Sequence, residues 1–335
     1  MTTAPPPTPP ALRRSLNLGH AVLYGIGVTV GAGIYVLIAD TAARAGMHAP
    51  LAFVVTALLV GLTGATLAEL GSRFPVAAGE AEYVRRGFGS DRMGVAIGYL
   101  VIAMAVVSAA TISVGAAGYI RVFLPLDTKL IIVGVVLAMG AIAARDVKDS
   151  VTFAGVMTLV ELGGLLLIVG AGFMLEPRVL TELPSVLPHS VDPAIWSGIA
   201  AASMLAVFAF VGFEGIVNIA EEMKEPRRTL PRALFLTLSI TTLLYVLVTW
   251  VSLATLGVAA LAQSKAPLAD VFHRLTGWPR TTMSAIAVVA TLNGIVVNLI
   301  MASRVMYGLA RRSGLPAWLA RVSPATGTPV AATFV

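Results

Sequence analysis

Cysteine is absent from the 335 residues, which removes disulfides, thiolate metal sites and a cysteine nucleophile together. Charge is scarce as well: Asp, Glu, Lys and Arg make up 12%, against roughly 25% in soluble domains. The four histidines, His20, His48, His189 and His273, show no metal-ligand spacing, so neither a metal nor another cofactor is expected. What is present is apolar: 57% hydrophobic residues and a mean hydropathy of +0.89. Disorder needs low hydrophobicity and high charge, and a soluble chain of this length could not hide so much apolar surface. The composition is that of an integral membrane protein.

Apolar runs of about 20 residues mark spans near His20–Asp40, Leu51–Gly71, Arg92–Phe123, Leu130–Ala144 and Val151–Leu175. Three more follow near Trp196–Ala220, Ala233–Gly257 and Thr282–Ala310, and a ninth begins at Pro329. Spans this regular predict an all-α protein. The Pro- and Thr-rich start predicts a disordered tail over 1–16 and not a secretory signal, because the first apolar stretch is itself a full span.

The net charge of +6 does not point to nucleic acid once the charges are placed on alternating loops. One side of the membrane receives 16 of the 23 Lys and Arg and the other receives 7. The positive-inside rule then predicts a multi-pass protein of the cell membrane, in contact with the lipid bilayer, with a cytoplasmic N-terminus. The basic excess is a topology signal.

Two spans carry weak points. The first contains Gly31-Ala32-Gly33-Ile34-Tyr35, and the sixth contains Phe208-Ala209-Phe210-Val211-Gly212-Phe213-Glu214-Gly215. Glycine weakens a helix by about 1 kcal/mol against alanine, and freed backbone survives in lipid only when buried in protein or lining a cavity. Close packing around small residues is the plainer account of either segment alone. Together they are 181 positions and five spans apart, so they cross the membrane in opposite directions. That is the pattern of two inverted repeats whose broken helices meet near the midplane. A half-helix starting after Gly33 turns N–H groups and a positive dipole end toward a carboxylate. A half-helix ending near Phe210–Gly212 leaves carbonyls free to receive an ammonium group.

These residues resemble the amino acid–polyamine–organocation permeases. The Gly31–Tyr35 segment is similar to the family's first-helix signature, and Glu69–Glu80 to its first cytoplasmic loop. Phe208–Glu214 with Glu221–Pro231 resembles the sixth helix and its loop, and Ala302–Arg311 the end of the eighth helix. The resemblance implies a leucine-transporter-type inverted-repeat bundle with broken first and sixth helices. The first repeat would span 17–175, an extracellular loop 176–195, and the second repeat 196–335. Because the family usually has more spans than this chain, the second repeat is expected to be incomplete and the sequence partial. Ala78 and Ala81 stand where many members have glycine and tyrosine, and Glu161 where several proton-coupled members have lysine.

The expected substrate site is Thr29, Gly31, Ala32, Gly33 and Ile34 from the first span with Phe208, Ala209, Phe210, Val211, Gly212 and Glu214 from the sixth. The resemblance implies an aromatic gate at Phe208 and a place beside the substrate for Glu214. A buried charge costs about 2.5–3.5 kcal/mol on insertion scales, which makes an intramembrane acid a functional candidate. Glu161 is therefore read as a proton-coupling site, or alternatively as the ion-pair partner of Arg304. Thr229 is expected to cap the seventh helix and Pro231 to start it. The expected function is secondary transport of an amino acid or related amine by alternating access, proton-coupled or exchanging. The competing reading is a ligand-binding membrane protein that does not transport, or an inactive permease remnant. An enzyme is not expected, since no span pairs a nucleophile with a base, and nothing points to an oligomeric state.

Overall fold

The computed structural model describes residues 12–121, 123–264, 266–312 and 314–335. The rest of the chain, including positions 1–11 of the expected tail over 1–16, lies outside the described residues. Within lipid a backbone must satisfy itself, so the apolar runs fold as helices. The only β-type pairing among the described residues is a bridge between Leu16 and Met223.

The helices run α1 (Leu18–Thr29), α2 (Ala32–Ala45), α3 (Ala49–Arg73), α4 (Gly79–Phe88), α5 (Asp91–Ile120), α6 (Thr128–Ala143) and α7 (Val147–Leu175). A short α8 (Arg178–Thr181) precedes α9 (Pro193–Phe210), which is followed by a 3-10 segment, Phe213–Glu222. Then come α10 (Pro226–Leu256), α11 (Val258–Gln263), α12 (Pro267–Thr276), α13 (Arg280–Ala310) and a last turn, α14 (Val330–Thr333). Side chains of Asn17, Ser90, Asp127, Asp146 and Asp192 accept the first free N–H groups of α1, α5, α6, α7 and α9.

Among the described residues, seven stretches are long and apolar enough to cross a membrane. The fourth expected span, α6, is a 16-residue helix, about 24 Å at 1.5 Å per residue and thus shorter than a typical hydrocarbon core. Two other expectations are corrected. Helix α10 begins at Pro226, a turn earlier than expected, so Thr229 is not its cap and Pro231 lies inside it. Proline at the first position costs nothing there, because that N–H has no helical partner. The end of the expected tail is ordered: Leu16 is buried, and the Ser15 and Leu16 N–H groups donate to the Glu222 carbonyl at 3.0 Å. An apolar side chain and a paired backbone hold it there.

That contact fixes the relation of the two broken elements. It joins the start of α1 to the end of the 3-10 segment on one membrane face, so the elements run antiparallel. Helix α2 packs on α9, and α1 on the 3-10 segment. One apolar cluster is built on α2, α3, α9 and α10, the other on α1, α7, the 3-10 segment and α13. The break after α9 falls where one cluster gives way to the other.

Candidate functional site

Helix α1 stops at Thr29, and Val30 (φ −82°, ψ 91°) and Gly31 (φ −143°, ψ −148°) run extended before α2 resumes at Ala32. The interruption is two residues long and lies two positions ahead of the expected start after Gly33. In the sixth span, α9 stops at Phe210, Val211 is extended, and Gly212 turns at φ 119°. Only glycine fits there without strain. A Cβ on Gly212 would also lie 2.7 Å from the Val28 carbonyl oxygen, so the two breaks touch. Gly33 has a parallel reason: a Cβ there would stand 3.0 Å from Ala209 Cα.

A cavity of about 170 Å³ opens beside these breaks. Pockets for drug-sized ligands run to about 300–1,000 Å³, so this one suits a smaller molecule. Of the expected residues, Thr29, Gly31, Gly33, Phe208, Val211, Gly212 and Glu214 line it. Ile34, Ala209 and Phe210 do not; they are buried in the apolar cluster behind it. The Ala32 side chain lies outside the described residues. Phe208 is exposed (68%) and faces the cavity, whereas Phe210 is fully buried, its ring 5.3 Å from that of Tyr245 in an edge-on contact.

Sequence reasoning missed the opposite wall. It is made by Met104, Ser108 and Ile112 of α5 and by α13 from Ala290 to Met301. The polar residues Ser108, Thr291 and Asn298 in mid-span were the available signal. Glu214 is the one charged side chain among the described lining residues. Its Oε2 accepts the Gly212 N–H at 2.9 Å, so it satisfies backbone that the break sets free. The Thr29 hydroxyl donates back to the Gly25 carbonyl at 2.7 Å.

The cavity therefore meets the N-terminal end of α2, which offers N–H groups, and the ends of α1 and α9, which offer carbonyls. Among the described lining residues there is no Lys or Arg, so an anionic group would meet the backbone N–H groups of α2 on one side and neutral donors, the Ser108 and Thr291 hydroxyls and the Asn298 amide, on the other. One molecule bearing both a carboxylate and an ammonium matches that pair of ends.

The expected Glu161–Arg304 pair is corrected. Arg304 is fully buried and its Nε lies 2.9 Å from Glu222 Oε1, with Nη2 at 3.4 Å from Oε2 and Nη1 donating to the Ser303 hydroxyl. The nearer carboxylate takes the arginine: Glu222 is buried at the end of the 3-10 segment, where the sequence predicts a loop. Glu161 is the central residue of the 29-residue α7, fully buried, with neither carboxylate oxygen hydrogen-bonded. Asn293 neighbours it; the Asn293 amide donates to the Thr158 hydroxyl at 2.9 Å while its own carbonyl oxygen is unpartnered. Glu69 pairs with Arg73 at 2.6 Å near the end of α3.

Known proteins resemble this chain over most of its length. A family described as amino acid permease matches residues 16–335. An uncharacterised transporter of Mycobacterium tuberculosis is 32% identical over 98% of this chain and 72% of its own. A branched-chain amino acid permease of Bacillus subtilis is 27% identical over 97% of this chain and 73% of its own. A cationic amino acid transporter of Arabidopsis thaliana is also 27% identical, over 96% of this chain and 56% of its own. Among solved structures, a manganese transporter of Eremococcus coleocola superposes with a TM-score of 0.64 at 15% identity, covering 95% of this chain and 68% of that one. That likeness shows the shared leucine-transporter-type fold. The chain belongs to the amino acid permease family and is an all-α membrane protein of the secondary transporter class.

Proposed function

We propose that this transporter moves an amino acid or related amine across the cell membrane by alternating access, using the cavity between the two helix breaks. The observation that carries the reading is the convergence there of one helix N-terminus and two helix C-terminal ends. The substrate carboxylate takes the N–H groups at the start of α2, following Gly31 and Gly33. Its ammonium takes the carbonyls at the end of α9, with Glu214 beside them and Phe208 over the opening. The similarity to a branched-chain permease and to a cationic transporter supports an amino acid as the substrate.

Glu161 carries the coupled proton in this scheme. A carboxyl at the centre of α7 with both oxygens unpartnered is costly as an anion; alternating between a protonated and a briefly solvated state makes use of that cost. One bundle of helices drawn from both repeats, 17–175 and 196–335 with the loop 176–195 between them, rocks against the remaining scaffold around the site. The face where Leu16 meets Met223 is cytoplasmic, which places the larger share of Lys and Arg inside.

Gly31→Val tests the site. A Cβ at Gly31 meets nothing within 4 Å and φ is extended, so the side chain enters the cavity without disturbing the fold. Thermal-shift titration of the detergent-solubilised protein with a panel of neutral and cationic L-amino acids should show a ligand response in the parent. The variant should keep the parent melting temperature and lose the response. A variant that still responds at the same concentrations would exclude this cavity.

A further inference from the structure

Helix α10 lines neither break in sequence, yet one of its side chains reaches both. The Tyr245 hydroxyl lies 2.9 Å from the Thr29 carbonyl oxygen and 2.9 Å from the Ala209 carbonyl oxygen. The first is the last carbonyl of α1, and the second is the penultimate carbonyl of α9. Both belong to helix ends whose carbonyls have lost their i+4 partners. Tyr245 is fully buried, and its ring is held edge-on by Phe53 at 5.5 Å and Phe210 at 5.3 Å. The hydroxyl therefore has little freedom to turn away.

A phenol has one proton, so the two carbonyls share it as a three-centre hydrogen bond. Two negative helix ends converge on one shared hydrogen. Without it, two adjacent carbonyl dipoles would repel, and a buried acceptor left bare is costly. The α2 N-terminus, where the carboxylate sits in the proposed scheme, receives no bond from Tyr245.

We propose that Tyr245 is the positioning residue of the ammonium seat: its single hydroxyl ties the C-terminal ends of α1 and α9 together and so aims the free carbonyls of α9 into the cavity. It acts on the substrate through those carbonyls. The inference rests on the proposed amino acid site and assigns the binding of one end of the substrate to a helix outside it.

Tyr245→Phe keeps the ring between Phe53 and Phe210 and removes only the hydroxyl. The test compares an amino acid with its deamino analogue as competitors of uptake into proteoliposomes: L-leucine against 4-methylpentanoate, and L-arginine against 5-guanidinopentanoate. In the variant, apparent affinity for the amine-bearing ligand should fall roughly 10-fold, the scale of one lost hydrogen bond. The much weaker affinity for the deamino acid should be unchanged. Equal losses for both ligands would mean a general packing role and overturn the proposal, as would unchanged affinity for the amino acid. A parent protein that took up neither amino acid, with no thermal response to a wider amino acid panel, would overturn the underlying substrate reading instead. If Tyr245→Phe lowers folded yield, the same comparison on Phe53→Leu, which loosens the ring but keeps the hydroxyl, decides. A loss confined to the amine-bearing ligand supports positioning, and an equal loss refutes it.

Discussion

At the scale of single residues, Glu161 could be found from sequence because depth in a span is a property of local composition. An acid flanked by apolar residues on both sides must be buried or paired. Its partner was not legible, because pairing depends on which loop folds back. Arg304 is taken by Glu222, 82 positions earlier in the chain, and that distance leaves no local trace. The structure thus removes the ion-pair reading of Glu161 and sharpens the test of the proton reading. Glu161→Gln breaks no salt bridge, so folded yield should match the parent. Uptake driven by a pH gradient should fall sharply, while substrate binding persists and loses its pH dependence. Proteoliposome uptake at two external pH values, with solubilised yield measured alongside, gives the answer; unchanged pH-driven uptake would leave Glu161 as a tolerated buried acid.

At the scale of elements, the breaks were legible because two glycine-bearing weak points lie five spans apart and so cross the membrane in opposite directions; glycine alone marks nothing, since α7 carries five glycines without breaking. Gly212 and Gly31 are nonetheless different in kind. Gly212 sits at φ 119° with Val28 backbone against its face, whereas Gly31 is extended with open space around it. Sequence reading treated them alike, since neither dihedral nor neighbour can be seen in a run of small residues. The same blindness hid the walls from α5 and α13 and the tie from α10, all of which come from distant segments. The distinction predicts opposite outcomes for the same small change. Gly212→Ala should lower the melting temperature and yield, because a left-handed L-residue costs about 1–2 kcal/mol before any clash is counted. Gly31→Ala should leave both within error of the parent. Equal melting temperatures for the two variants would contradict the assigned geometry.

At the scale of the whole molecule, the face where Leu16 meets Met223 is closed by a set of bonds from the α3–α4 loop and the first turn of α4 to the 3-10 segment. The Ala77 N–H donates to Glu221 Oε2 at 3.0 Å, the Gly79 N–H to Asn218 Oδ1 at 3.2 Å, and Asn218 Nδ2 to Glu80 Oε1 at 3.0 Å. Ala78 holds the loop at φ 58°, a strained conformation for alanine. The second Glu80 oxygen and the Tyr83 hydroxyl are buried without partners. Burial pushes the Glu80 carboxyl from its ordinary 4.5 up to about 7; nearby Glu214 adds to the rise, and the Asn218 bond offsets part of it. The closed arrangement therefore holds this proton more tightly than an open one in which Glu80 meets water. A carboxyl raised in one state favours that state while it is protonated, so closure is strongest at low pH and weakens as pH climbs from 4.5 through about 7. Hydrogen exchange of segment 74–83, corrected for the intrinsic rate, should be faster at about pH 8 than at about pH 6 in the parent. Glu80→Gln keeps an acceptor for Asn218 and cannot ionise, so its corrected exchange should stay slow at both. If the parent shows no such difference, or the variant retains it, the proton on Glu80 does not govern how this face closes.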